Sequence, residues 1–108
     1  MAMTREQAFC IGQTTHKLRL LDQKAQTEDD HNKIQAQMDR LRPYIAEAAT
    51  IVIRETDADF AQLGNALSAQ TKDLDDAIAG IKEIAAGIAN AAQVINGLVA
   101  VLGAVAKL

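Results

Sequence analysis

Residues 60–108 read FAQLGNALSAQTKDLDDAIAGIKEIAAGIANAAQVINGLVAVLGAVAKL. A large apolar residue recurs at every seventh position: Phe60, Leu67, Leu74, Ile81, Ile88, Ile95 and Leu102. Three residues beyond each stand Leu63, Gln70, Ala77, Ile84, Ala91, Leu98 and Val105. Positions i, i+3, i+4 and i+7 share one face of a helix. A seven-residue period held this long marks a bundle or coiled-coil seam, not a strand. The unbroken phase predicts one long helix over 57–108, about 73 Å for the periodic part at 1.5 Å per residue. The alternative is a break near 69–73 or at 80–87.

The same stretch changes character midway. Asp57, Asp59, Asp73, Asp75, Asp76 and Glu83, with Lys72 and Lys82, occupy its first part. From Ile84 to Ala106 there are 23 residues and no charge, and Asn90, Gln93 and Asn96 are the only amides. A helix apolar nearly all round needs a cover.

Working back toward the N-terminus, Thr4 can cap a first helix over 4–26, with Gln7 at the capping-box position. Its apolar face is Ile11, Leu18, Leu21 and Ala25, with Phe9 flanking. Thr27 is an N-cap candidate for a second helix over 28–55, and Glu28, Asp29 and Asp30 suit the positive end of that helix. Ile34, Met38, Leu41, Ile45, Ala48 and Val52 form its stripe. Pro43 falls inside the stripe and should kink the helix or end it near Leu41. Thr56 to Asp59 offers a further start signal.

These elements define a single all-α domain over 1–108: an antiparallel helical hairpin followed by a long C-terminal heptad helix. If that helix breaks at 80–87, an up-down four-helix bundle results. Helix three would run beside helix two and outrun it after about 27 residues, near Glu83, where charge disappears.

Composition narrows the function. Net charge is −3, aromatic residues are 3% of the chain, and the first 56 residues hold eight acidic and eight basic side chains. No basic face with aromatic platforms favours nucleic acid. The one cysteine, Cys10, excludes an internal disulfide and fits a reducing, cytoplasmic setting. The N-terminal residues lack the apolar core of a signal peptide.

Catalytic chemistry finds no purchase. Glu28-x-x-His31 is half of a carboxylate-bridged di-iron pattern, and no second copy accompanies it. His16, the other histidine, falls about 9 Å away along the hairpin axis. Asp73, Asp75 and Asp76 lack the glycine turn and distal Glu of a calcium loop. Ser68 is the only serine, and the six glycines are scattered through helical patterns. No catalytic, cofactor, metal or small-molecule site is expected.

The expected function is therefore a non-enzymatic helical interaction or oligomerisation module. It buries Ile81, Ile84, Ile88, Ile95, Leu98 and Leu102 against a second copy or a partner helix. The competing reading is a membrane-associated or pore-forming type of helical protein that inserts residues 84–106: these 23 uncharged residues are long enough to cross about 30 Å of hydrocarbon. Against it, nine of the 23 are Ile, Leu or Val while eight are Ala, and no Trp or Tyr anchors either edge.

Overall fold

Capping chemistry sets the first two helices. The computed structural model describes residues 3–50 and 58–106, with side chains described for 3–50 and 62–102. Helix α1 spans Arg5–Lys24, opened by the expected box: Thr4 Oγ1 accepts from the Gln7 N–H, and the Gln7 side chain accepts from the Thr4 N–H. Helix α2 spans Glu28–Ala49, with Thr27 Oγ1 accepting from the Asp30 N–H at 3.1 Å. Across the short turn, His31 Nδ1 lies 2.6 Å from Asp22 Oδ1 and ties the start of α2 to the end of α1.

Pro43 does not end α2. The helix continues through it to Ala49. Proline removes the bond its nitrogen would have made to the Asp39 carbonyl. Pro43 and Asp39 both lie on the exposed side, where water can take over that carbonyl. The end of the second helix expected at residue 55 falls outside the described residues.

The long C-terminal helix is not continuous. It is divided into α3 (Ala58–Gln70), α4 (Lys72–Ile78) and α5 (Ile84–Ala106). A rod of about 73 Å could not fit a molecule whose extents are 39 × 31 × 19 Å. Both of the alternative break regions are used. The first is a bend: Thr71 N–H still bonds Leu67 O, and Asp75 N–H still bonds Thr71 O, each at 2.8 Å. Thr71 itself leaves helical geometry at φ −108°, ψ 28°, with its hydroxyl donating back to Leu67 O at 2.9 Å. Such back-bonding by threonine bends helices.

The second break is a true reversal. Gly80 has φ +82°, its N–H bonds Ala77 O, and the Ile81 N–H bonds Asp76 O at 2.8 Å. This double closure is the Schellman stop, which requires a left-handed residue and so favours glycine. The heptad phase survives the reversal because α4 and α5 each turn the same seven-residue face to a shared core. Leu67, Leu74, Ile88, Ile95 and Leu102 are buried; Ile81, caught in the turn, is 73% exposed.

The result is an up-down bundle with a bent third member. Leu18 and Leu21 of α1, Ile34 and Leu41 of α2, Leu74 and Ala77 of α4, and Ile88, Ala91 and Ile95 of α5 form one core. A second layer at the other end joins Met3, Ala8, Ile11 and Leu102, with Tyr44, Ile45, Ala48 and Leu98 packed against it. Helix α5 therefore runs antiparallel to α1 and α4. Helix three does not outrun its neighbours near Glu83, because the chain turns back there. Each fully buried Leu or Ile contributes about 1.5–3 kcal/mol relative to exposure.

Candidate interaction surface

The residues expected to form a seam between molecules divide in two. Ile88, Ile95 and Leu102 lie inside the chain's own core, and Ile84 and Leu98 pack against it. Ile81 stands alone in solvent on the connection between α4 and α5. The cover that the uncharged helix requires on this side is supplied by α1, α2 and α4 of the same molecule.

Helix α5 is held tightly to α4. A Cβ placed on Gly87 would stand 2.7 Å from the Ala77 Cβ, so the two backbones approach as closely as a glycine permits. Beyond this crossing, Asn90 reaches over to the bend: its Oδ1 accepts the Leu74 N–H at 3.0 Å and its Nδ2 donates to Gln70 O at 2.9 Å. The first turn of a helix has unpaired N–H groups, and Thr71 makes no capping bond there. Asn90 thus caps α4 from another helix. Asn96 is anchored as well, accepting from Arg40 Nη2 of α2 at 2.6 Å.

The side of α5 turned away from the core is uncovered. Ala85, Ala89, Gln93, Gly97, Ala100 and Val101 are exposed, with Val101 at 51%. Gln93 stands midway along this strip, and its amide makes no hydrogen bond shown by the structure. Beside it, Val94, Gly97, Leu98 and Val101 line one wall of a groove of about 320 Å³, with Gln7, Cys10 and Gln70 on the other. Burial, and then the nearby Glu6 carboxylate, push the Cys10 thiol above its ordinary range, which keeps it protonated and weakly nucleophilic.

Two ion pairs gather at the bend and the reversal. Lys17 Nζ lies 2.7 and 2.9 Å from the two Asp75 carboxylate oxygens and 3.0 Å from Thr71 Oγ1, clamping α1 to the bend. Lys82 pairs with Asp73 across the reversal. Among the described residues, no group of three His, Cys, Asp or Glu side chains is placed to hold a metal ion.

Sequence reading did not find the Lys17–Thr71–Asp75 clamp or the capping role of Asn90. Nothing in their spacing signals contacts across 54 or 16 positions. The outward strip was legible as small and uncharged, though not as the side left uncovered. The chain matches no protein-family model, and no curated protein or solved structure is significantly similar to it.

Proposed function

We propose that this chain is a non-enzymatic helical interaction module that associates with a second copy of itself through the outward side of α5. The observation that supports this reading most is the uncharged, uncovered strip from Ala85 to Val101 on an otherwise charged surface. A strip without charge meets its own copy without like-charge repulsion, and a two-fold pairing uses the same patch on both molecules. Centred on Gln93, such a pairing brings two amides together, each able to donate to and accept from the other. Small residues on either side let the helices approach closely. The inward residues, Ile88, Ile95 and Leu102, act by holding α5 in place.

Sedimentation equilibrium of the wild type and of an Ala89→Lys, Ala100→Lys double variant tests it. The wild type should associate reversibly, and the variant should be a monomer with unchanged helix content. A wild type that stays monomeric at hundreds of micromolar contradicts the proposal.

Membrane association is the second reading, favoured by Ile84–Leu102, a stretch with mean hydropathy 1.6 and the length of a span. Insertion would have to break the Asn90 and Asn96 hydrogen bonds to the rest of the bundle and place these amides with Gln93 in hydrocarbon, which is costly. Flotation with liposomes containing anionic lipid decides it: co-flotation supports insertion, and protein left at the bottom rules against it.

A further inference from the structure

We infer that the 79–83 connection is a hinge through which two copies of this chain can exchange α5. In the exchanged form α4 and α5 would run on as one helix. Three observations converge on this segment. First, the Schellman stop at Gly80 usually packs the following apolar residue against the last turn of the helix, but here that turn offers Asp76, and Ile81 is left 73% exposed. Second, Leu74, Ile81 and Ile88 keep an unbroken seven-residue phase through the reversal, so a continuous helix would return Ile81 to the buried face. Third, the segment Ala79-Gly80-Ile81-Lys82-Glu83 has no proline, and Gly80 is its one residue with positive φ.

The register also fits. The present crossing sets Ala77 beside Gly87 and Leu74 beside Asn90. Kept between two antiparallel copies and continued toward the hinge, it sets Ile81 beside Glu83 and Ile84 of the second copy. Every core contact of Ile88, Ala91 and Ile95 would be remade on the other molecule, as in exchange of identical elements generally. The losses are the turn at Gly80, the surface pair of Lys82 with Asp73, and the approach of the two Lys82 side chains, which the same register sets beside each other. The gains are helical bonds across the hinge and a covered Ile81. This exchange does not depend on the outward pairing of α5 proposed above.

The test uses the full chain carrying Cys10→Ser, Ala69→Cys and Ala89→Cys, spin-labelled at the two new cysteines, both at exposed positions, and diluted into excess unlabelled chain so that only distances within one chain are read. In the folded-back form the labels sit together, next to the Asn90–Gln70 bond of 2.9 Å. In the exchanged form they are about 30 Å apart in contour, at 1.5 Å per residue, with residue 69 one turn before the continuous helix begins. Gly80→Ala is the driving variant, because its Cβ would meet nothing within 4 Å and it acts through the backbone alone, penalising positive φ and favouring the continuous helix. With two hinges per dimer, it should raise the dimerisation constant at least about tenfold and bring up the long distance. Adding Ile81→Gln should reverse that gain. A Gly80→Ala chain that remains monomeric, or that dimerises with only the short distance, overturns the exchange; the second result leaves the outward pairing standing. Should Gly80→Ala fail to fold, the wild type at hundreds of micromolar serves instead: a long-distance population supports the exchange, and its absence overturns it.

Discussion

Gly87 of α5 and Ala77 of α4 meet so closely that a Cβ on the glycine would lie 2.7 Å from the alanine methyl, with the Leu21 methyls at 3.3 and 3.4 Å. Neither the helix backbone nor the short alanine side chain can yield. Gly87→Ala should therefore destabilise the fold by about 1–3 kcal/mol, as overpacking does, despite the better helix propensity of alanine. Ala77→Gly placed beside it should recover much of that loss. Chemical denaturation of the two single variants and the double variant measures the coupling. Additive effects would mean that the two helices do not touch here.

Asn90 should act as a cap although it lies 16 positions from the residue it caps. Asn90→Ala leaves the Leu74 N–H without its partner and should cost about 1–3 kcal/mol. Asn90→Asp keeps an acceptor there and adds a negative charge at the helix start, which is favourable, while losing the bond to Gln70 O. It should be less damaging than alanine. Thermal unfolding of both variants checks the order; equal losses would deny the capping role.

Thr14 is fully buried, and its hydroxyl has no hydrogen-bond partner, whereas Thr15 next to it donates to Ile11 O at 2.8 Å. A buried hydroxyl without a partner costs free energy that a methyl group of similar shape does not. Thr14→Val should stabilise the chain by about 1 kcal/mol, and Thr15→Val should not. Denaturant midpoints at unchanged slope distinguish the two; a destabilised Thr14→Val would reveal a partner for that hydroxyl.

The Cys10 thiol is raised by burial and by Glu6, so the folded chain holds its proton at pH values where the unfolded thiol has lost it. The stabilisation linked to this group is complete below the unfolded thiol pKa and is lost as pH rises through the folded value. Thiol alkylation of the folded chain should accordingly lag behind that of the urea-unfolded chain, and the pH profile of its rate should be displaced upward. Glu6→Gln should move the profile part of the way back. Identical profiles for folded and unfolded chain would contradict the burial.

Local signals carried much of this architecture. Thr4 with Gln7 and Thr27 before three acids were legible as helix starts, because a cap bonds within its own turn. Of the seven-residue series, Leu67, Leu74, Ile88, Ile95 and Leu102 are buried and Ile81 is exposed. The series could not say who supplies the cover: periodicity records which side of a helix is buried and is blind to a reversal that lets both arms face one core. Gly80 was the residue that decided this, and a glycine among several in helical patterns is a weak stop signal. Pro43 failed to end α2 because its side of the helix is wet. The contacts of Lys17 and Asn90 arise only once the third helix is bent and folded back, so no spacing in the chain announces them.

The outward side of α5 is where the proposed function stands or falls, and Gln93 marks its middle. A single nitroxide at Gln93→Cys in a Cys10→Ser chain reads the relation between copies directly. Helices packed in contact have axes about 8–10 Å apart, so paired α5 strips should give strong spin–spin broadening between chains, lost on dilution with unlabelled protein and lost with Ala89→Lys, Ala100→Lys. An unbroadened spectrum at concentrations where the chain sediments as a dimer would contradict the pairing and place the contact elsewhere.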